Sequence, residues 1–237
     1  AVIDPGSRQC SLRIHWRPDD VRYPAVLDPS WTTTVNDLNL ARRFHTASKL
    51  PTGRVLIAGG SKDNLSGGLC EVYDPTTSSW ANSASLGSVR MRHTTTTLSN
   101  GTLIVIGGVN ESHGGKDTGV RAIETFNPMS PVPAWTTVAS LELEAKQARY
   151  GHSAILHKND MVLAIGGRFP GGGLFNDALT ISEPNGVSTR LTNFMPEPRV
   201  HHTTTSIGLS DYVVSGGLAQ DDLAPYPLLY VGQPVQG

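Results

Sequence analysis

Four segments of the chain repeat one template, and this repeat constrains the fold more than any other feature of the sequence. In each segment an arginine stands three residues before a histidine, and a pair of glycines closes the segment. The segments are ARRFHTASKLPTGRVLIAGG (41–60), VRMRHTTTTLSNGTLIVIGG (89–108), ARYGHSAILHKNDMVLAIGG (148–167) and PRVHHTTTSIGLSDYVVSGG (198–217). The histidines are 48, 59 and 50 residues apart. A period near 50 residues indicates a repeat architecture, so every motif is interpreted first as part of a repeat.

The local patterns within each repeat predict β structure. A short strand follows the histidine, and turn sequences such as PTGR and SNGT predict a hairpin. A second, apolar run predicts a buried strand, and the glycine pair predicts a sharp turn or a close backbone approach. A third strand ends in EVYDP (71–75) or ETFNP (124–128), and a fourth is led by Trp80 or Trp135. Four antiparallel strands per repeat predict the blade of a β-propeller.

Composition excludes several classes of partner. Nineteen basic residues oppose twenty acidic ones, so no basic face and no nucleic-acid partner are expected. No apolar run approaches the roughly 20 residues of a membrane helix, so no membrane insertion is expected. The two cysteines, Cys10 and Cys70, are able to pair in an oxidising compartment but form no metal or redox motif. The opening AVIDPGSRQC resembles mid-protein sequence, which predicts a processed product or a fragment.

These elements resemble the kelch-repeat β-propeller family. The likeness consists of a double glycine, a spaced aromatic (Tyr73, Phe126) and then a tryptophan (Trp80, Trp135). Bacterial kelch repeats and the central domain of galactose oxidase are the nearest likenesses within it. The resemblance covers about residues 31–232. It is weaker in the third repeat, where LTISEPNG replaces the aromatic element, and in the fourth, which offers only Tyr230.

The expected fold is therefore an all-β propeller of four-stranded kelch blades over residues 31–237. A strand led by Trp31 precedes the first repeat, and the last repeat lacks a fourth strand. Joining the two would close a ring of four blades and remove its edge strands. The alternative is a fragment of a six- or seven-bladed propeller. Residues 1–30 do not fit the template and are interpreted as a linker or as the remnant of a preceding β domain.

The four repeat histidines are one candidate site. By the kelch resemblance they would project into the central channel at one level. Four neutral imidazoles on one axis would bind a metal ion or an anion, so a metal is a possible cofactor and none is otherwise expected. The alternative is that each histidine satisfies backbone groups at the start of its strand. The residues are His45, His93, His152 and His202.

The four repeat arginines are a second candidate site. The resemblance implies a place at the channel mouth, where family members use arginines to hold acidic ligands by guanidinium–carboxylate pairing. The alternative is that they bridge neighbouring blades or pair with acids of the chain such as Glu71 and Glu124. The residues are Arg42, Arg90, Arg149 and Arg199.

The predicted function is a non-catalytic binding or scaffolding module, bacterial and extracellular or on the cell surface. Its recognition loops would be 61–70, 109–121 and 168–177, and its partner a protein, another copy of the chain or a surface polysaccharide. One alternative is a lectin-like propeller, for which only Phe169 and Phe175 offer aromatic platforms. The other is a copper-radical oxidase. RYGHS (149–153) resembles the oxidase ligand stretch, but Gly151 separates the tyrosine from the histidine, and no catalytic residue is assigned.

Overall fold

A computed structural model describes residues 37–61, 67–110, 117–182, 186–207, 211–219 and 229–232. The chain divides into two units, Ala1–Val35 and Asn36–Gly237, and every described residue belongs to the second. The expectations for residues 1–30, for Cys10 and for the closing strand at Trp31 lie outside the described residues. Within those ranges the fold is all-β, with three short 3-10 turns and no α-helix. No helix in the described part of the chain has the length and apolar character needed to cross a membrane.

The first blade is a four-stranded antiparallel sheet with its strands in chain order. The strands are β1 (Thr46–Lys49), β2 (Val55–Ala58), β3 (Cys70–Asp74) and β4 (Ser79–Ser83). Gly53 takes a positive φ of 84° in the turn between β1 and β2, as a PTGR hairpin requires. Tyr73 pairs with Trp80 across β3 and β4, and the two ring centroids are 5.0 Å apart. The aromatic and the tryptophan of the predicted motif are therefore one cross-strand pair.

The second blade repeats this sheet and adds a small ribbon. Its strands are β5 (Thr94–Thr97), β6 (Leu103–Ile106), β9 (Glu124–Phe126) and β10 (Trp135–Thr137). The ribbon is formed by β7 (Val109–Asn110) and β8 (Thr118–Gly119). Phe126 pairs with Trp135, with ring centroids 5.2 Å apart.

The third blade also has four strands, although its aromatic motif is missing from the sequence. The strands are β11 (Ser153–Leu156), β12 (Met161–Ile165), β13 (Ala178–Ser182) and β14 (Gly186–Leu191). Its 3-10 turns are Ala139–Leu141 and Ala145–Gln147, which precede β11, and Lys158–Asp160 in the hairpin. β13 pairs with both β12 and β14, so backbone pairing maintains the blade without the tryptophan.

The fourth blade has three strands among the described residues. They are β15 (Thr203–Ser206), β16 (Tyr212–Ser215) and β17 (Leu229–Gly232). In all four blades the residue after the repeat histidine pairs with the residue before the glycine pair. These pairs are Thr46 with Ala58, Thr94 with Ile106, Ser153 with Ile165 and Thr203 with Ser215.

The hydrophobic core lies between successive blades. Alternate residues of each second strand face opposite neighbours, because side chains alternate across a β-strand. In β6, for example, Leu103 and Val105 pack toward the first blade, whereas Ile104 and Ile106 pack toward the third. A third cluster joins the third and fourth blades through Leu163, Ile165, Tyr212 and Val214. Each blade is therefore stabilised mainly by the neighbours against which it stacks.

Candidate functional site

Three of the four repeat histidines bond to the blade that precedes their own. In each case the ring Nε2 lies within hydrogen-bond distance of the hydroxyl one residue after the preceding histidine. The pairs are His93 with Thr46 Oγ1 (3.1 Å), His152 with Thr94 Oγ1 (2.8 Å) and His202 with Ser153 Oγ (2.8 Å). All three histidines are buried, whereas His45 is exposed. The histidines therefore act as inter-blade contacts.

The glycine pair provides the space for these rings. A Cβ atom placed on the first glycine would lie close to the histidine of the next blade: 2.6 Å from His93 Cε1 at Gly59, 2.9 Å from His152 Cε1 at Gly107 and 2.8 Å from His202 Cε1 at Gly166. A Cβ on the second glycine would lie within 2.9 Å of the Cβ of the histidine of its own blade, as at Gly108 and Gly167. These glycines also have positive φ, so both space and conformation require glycine.

Two backbone hydrogen bonds recur at every described junction between blades. The second glycine donates to the carbonyl of the next repeat arginine: Gly60 to Arg90 (3.0 Å), Gly108 to Arg149 (2.8 Å) and Gly167 to Arg199 (2.8 Å). The residue before each histidine donates to its counterpart in the preceding blade: Arg92 to Phe44 (3.0 Å), Gly151 to Arg92 (2.9 Å) and His201 to Gly151 (2.7 Å). The Arg–His motif and the glycine pair are thus two halves of one joint.

The repeat arginines are buried inside their own blades. Arg90 donates to Glu124 Oε1 (2.6 Å) and to the carbonyl of Gly107 (3.0 Å), and Arg42 makes the matching bonds to Glu71 (2.6 Å) and Gly59 (2.8 Å). Their side chains are 0% exposed. Such a charge-assisted pair is strong because the carboxylate and guanidinium satisfy each other away from water.

The third and fourth blades vary this arrangement. Arg149 donates to Asp177 Oδ1 (2.8 Å), and Arg190 also donates to the Asp177 carboxylate. Arg199 donates to the carbonyl of Gly216 (2.7 Å). The sequence analysis missed Asp177 because it lies before β13 and not at the strand position of Glu71 and Glu124.

These contacts bear on the alternative that the arginines pair with acids of the chain. The pairing with acids of the chain is what the structure shows for Arg42, Arg90 and Arg149. The bonds of these three guanidinium groups to the acids each lie within one blade. None of the four arginines lines the cavity beside the repeat histidines. A ligand role for these arginines at a channel mouth stays a prediction.

The metal site expected at the repeat histidines stays a prediction. The described residues contain no group of three or more His, Cys, Asp or Glu side chains placed to hold a metal ion. Burial, together with the nearby Arg90 charge, lowers the pKa of His93 to about 3. Burial and Arg199 likewise lower the pKa of His202 to about 4. These two rings are neutral at neutral pH. Each forms a hydrogen bond with a hydroxyl of the preceding blade.

One cavity lies beside the junction histidines, and we call it the inner cavity. It has a volume of about 260 Å³ and is lined by Phe44, Arg92, His93, Gly151, His152, His201 and His202. Four of these residues directly precede the repeat histidines, and all four have left-handed φ: Phe44 59°, Arg92 56°, Gly151 61° and His201 59°. The Arg92 guanidinium lies 4.3 Å from the centroid of the Phe44 ring. In the sequence, the site corresponds to the position directly before each repeat histidine. This position holds a different residue in each of the four repeats, whereas the histidine is the same in all of them.

A larger groove lies between the loops of the second and third blades. It has a volume of about 670 Å³, and its lining includes Asp117, Arg121, Phe169 and Pro170. Phe169 is 37% exposed and meets Phe175 edge to face, with centroids 6.4 Å apart. Phe175 in turn covers the buried Arg149, whose guanidinium carbon lies 4.3 Å from the ring centroid. Of the two aromatic residues singled out in this loop, Phe169 is the one that borders the groove.

The comparisons with known proteins agree with this architecture. No protein-family model matches the chain. The chain is 28% identical over 204 residues to kelch-like protein 36 of Mus musculus and to that of Rattus norvegicus, which covers 84% of this chain and 31% of each relative. The match to the Bos taurus protein has the same identity and covers 30% of the length of that protein. The chain thus spans about a third of the length of the curated relatives that it matches.

These similarities support a kelch-repeat character, as do the four-stranded antiparallel sheets. The relatives named are mammalian kelch-like proteins, so the bacterial and galactose-oxidase-like subtypes stay predictions. Closure of the ring and the number of blades also stay predictions, since the strand expected to close it lies outside the described residues.

The residues considered for the copper-oxidase alternative have other contacts among the described residues. His152 is bonded to Thr94, and Tyr150 lies in a small apolar cluster with Met91 and Val109. Cys70 is a free thiol in the core between the first two blades, and burial raises its pKa. These contacts lend no support to a copper–tyrosyl site, which stays an alternative from the sequence.

Proposed function

We propose that this chain is a non-catalytic protein-binding module of the kelch-propeller type, which holds its partner at the inner cavity. The observation that carries the proposal is the strained conformation of Phe44, Arg92 and His201. Three residues with side chains occupy a left-handed position that glycine, as in the third blade, adopts without strain. Backbone strain of this kind is concentrated at functional sites, where the side chain is retained for its role despite the unfavourable backbone conformation.

The chemistry of the cavity favours an acidic segment of a partner protein. Phe44 is 40% exposed, and the guanidinium groups of Arg43 and Arg92 lie 5.4 and 4.3 Å from the centroid of its ring. An aromatic ring flanked by two guanidinium groups offers apolar area beside donors for a carboxylate. The kelch likeness supports the same function, because the fold presents loops and an inner rim on a rigid scaffold. The extracellular or cell-surface location expected from the sequence belongs to this proposal.

Arg92→Gly is the variant that tests the proposal. Glycine suits a φ of 56°, so the variant should fold while losing the guanidinium that faces Phe44. The probe is a library of Glu- and Asp-containing peptides, with the same peptides amidated at their carboxyl groups as the ligand control. We expect an acidic peptide to bind the parent chain and the affinity to fall at least about tenfold in Arg92→Gly, a loss of about 1.4 kcal/mol.

The control variant is Arg54→Ala, which removes an exposed arginine that is not part of the cavity lining. Its peptide affinity should match that of the parent chain. The proposal is contradicted when no acidic peptide binds, or when a bound peptide keeps its affinity in a folded Arg92→Gly variant.

A carbohydrate ligand is the second candidate, and the groove beside Phe169 is the observation that favours it. Asp117 and Arg121 line the groove with Phe169, so hydroxyl-binding groups stand beside an aromatic ring. Titration with a panel of neutral oligosaccharides, followed by nuclear magnetic resonance, would show binding that Phe169→Ala abolishes. Unchanged spectra over the whole panel would remove this candidate.

A further inference from the structure

A third pocket lies between the first and second blades, and we call it the outer pocket. Its volume is about 410 Å³, and its lining includes Leu50, Val72 and Ala81 of the first blade and Phe126 and Pro133 of the second. Ligand pockets in proteins commonly have volumes of about 300–1,000 Å³. The outer pocket shares no lining residue with the inner cavity or with the larger groove, so it is a separate candidate site for a small molecule.

Small side chains on β4 leave this space open. Because side chains alternate across a β-strand, Ser79, Ala81 and Ser83 share one face of β4, and all three line the pocket. Trp80 lies on the opposite face of the strand, where it pairs with Tyr73. The large aromatic side chain of β4 therefore does not fill the space, which is bordered on this side by one methyl group and two short hydroxyl side chains.

The opposite wall of the outer pocket is apolar and rigid. It includes Phe126 and the prolines Pro128 and Pro133, which lie near the two ends of the loop between β9 and β10. The Phe126 ring packs against Trp135, and each proline ring fixes the backbone φ at its position. A wall of this kind keeps its shape when a ligand enters, so little conformational entropy is lost on binding.

The floor of the pocket and the nearby loop favour a ligand with an apolar body. Leu50 and Phe126 belong to the hydrophobic core between the two blades, and Val72 packs against that core while it lines the pocket. Met129 and Val132, which lie between the two prolines of the loop, are 64% and 79% exposed. A ligand that covers Val72 and the neighbouring apolar surface would remove apolar area from water, which is favourable.

The polar groups of the lining favour an uncharged ligand. Arg54 and Asp74 are the charged residues of the described lining, and Arg54 Nε donates to Asp74 Oδ2 over 2.9 Å. A charged ligand would lose hydration in the pocket without meeting an excess of the opposite charge. The hydroxyl oxygens of Thr77 and Ser79 lie 2.7 Å apart in the same lining. Hydroxyls both donate and accept, so they suit one neutral polar group of a ligand.

We propose that the outer pocket binds a small neutral aromatic molecule that carries one hydroxyl or carbonyl group. The aromatic body would lie over Val72, between Ala81 and Phe126, and the polar group would bond to the hydroxyls of Thr77 and Ser79. An aromatic ligand suits this place because aromatic rings pair favourably in offset or edge-to-face contact. The proposal does not rest on the proposed protein-binding function, since the two sites have no residue in common.

Titration of the 237-residue chain with phenol, indole and 2-naphthol tests the proposal, with backbone amide signals followed by nuclear magnetic resonance. We expect saturable shifts at Val72 and Ala81 and no shift at Gly151 of the inner cavity. The ligand control is 2-naphthoate, which has the ring system of 2-naphthol with a carboxylate, and it should bind at least about tenfold more weakly. The absence of saturable shifts with all three neutral ligands, or equally tight binding of 2-naphthoate, would overturn the proposal.

Variants that fill the pocket provide the second test. Ala81→Phe places a ring in the space and should raise the dissociation constant of 2-naphthol at least about tenfold. Thr136→Phe is the matched control, since it adds the same ring at an exposed position of a fourth strand outside the lining. Urea unfolding shows whether each variant is folded, and Ser79→Leu replaces Ala81→Phe if the latter does not fold. Equal affinities in the folded filling variant and the control would contradict the proposal.

The same variants separate this proposal from the proposed function. Acidic peptides should bind Ala81→Phe as tightly as the parent chain, because the inner cavity is unchanged. Arg92→Gly should in turn keep its affinity for 2-naphthol, because Arg92 does not line the outer pocket. Loss of 2-naphthol binding in Arg92→Gly but not in Ala81→Phe would place the ligand at the inner cavity and would overturn the assignment.

Discussion

The first and second blades carry the same Arg–His motif in different surroundings. His93 is buried against the first blade, bonded to Thr46 and enclosed by Gly59. His45, which is also followed by a threonine, is exposed. Both blades keep their internal arginine–carboxylate pair, Arg42 with Glu71 and Arg90 with Glu124. The arginine is therefore a property of a single blade, whereas the histidine acquires its contacts only from a neighbour.

This difference is what a repeat protein with nearest-neighbour stabilisation should show. Residues whose contacts lie within one blade should contribute similarly to the free energy of unfolding in every blade. Residues of the inter-blade joint should contribute to the free energy of unfolding where two described blades meet, and contribute little where no described blade covers them. Four substitutions or conditions test this division, and they are taken from the largest expected effect to the smallest.

Arg90→Leu should cause the largest loss of stability. The change leaves the Glu124 carboxylate buried without its guanidinium partner, and breaking a buried ion pair in this way costs about 3–5 kcal/mol. Arg54→Ala is the control, since it removes a pair with Asp74 whose arginine is 55% exposed, and little measurable change is expected. Urea unfolding gives both values. Equal effects of the two variants would show that the Arg90 pair is not a stabilising element of the blade.

Gly107→Ala against Gly216→Ala separates the crowding of a junction from backbone strain. Both glycines have left-handed φ, 63° and 69°, so both variants bear the same conformational cost. Only at Gly107 would the new Cβ lie 2.5 Å from the Arg149 carbonyl oxygen and 2.9 Å from His152. We expect Gly107→Ala to lose about 1–3 kcal/mol more than Gly216→Ala in the free energy of unfolding. If the two variants lose the same free energy of unfolding, the residues around Gly107 move enough to accommodate the added methyl group at little cost.

His93→Ala against His45→Ala compares the histidine in and out of a joint. His93→Ala removes a buried ring and its bond to Thr46, so a loss of about 2 kcal/mol is expected. His45 is exposed, so its replacement should leave the unfolding free energy of the monomer nearly unchanged. The measurement is urea unfolding of both variants beside the parent chain. A larger loss at His45 than at His93 would reverse the comparison.

The junction histidines should also make stability depend on pH. Folding lowers the pKa of His93 to about 3 and that of His202 to about 4 from an ordinary value of 6.5. The unfolded chain then binds more protons than the folded chain below pH 6.5, so stability is complete above that pH. It falls as the pH drops through the window toward the folded values, by at most about 1.4 kcal/mol per pH unit for each ring.

Urea midpoints between pH 7 and pH 5 measure this slope above the range in which carboxylates titrate. His93→Gln should reduce the slope, because a side chain that does not titrate replaces the buried ring. His45→Gln should reduce it less, since His45 is exposed and only partial burial and the Arg42 charge lower its pKa, whereas His93 is buried between two blades. Parallel slopes in all three proteins would exclude His93 as the group responsible.

Much of each blade could be predicted because its signals are local. The apolar runs, the turns at Gly53 and Gly101, and the Tyr73–Trp80 pair all depend on residues of one sheet. The pairing of arginines with Glu71 and Glu124 was foreseen as one alternative for the same reason, since both groups lie in one repeat. Asp177 was not predicted as the partner of Arg149, because there the chain departs from the template that places Glu71 and Glu124.

The sequence by itself determined the repeat, the antiparallel hairpins and the positions where only glycine fits, because these follow from residue spacing and backbone sterics within about 50 residues. Only the tertiary structure decided what the repeat histidines do. Nothing in the spacing distinguishes a ring that points to a shared axis from one that bonds to the preceding blade, and burial between two blades is a property of their packing. The same holds for Phe44, Arg92 and His201, whose left-handed backbone and common cavity arise from hydrogen bonds between blades.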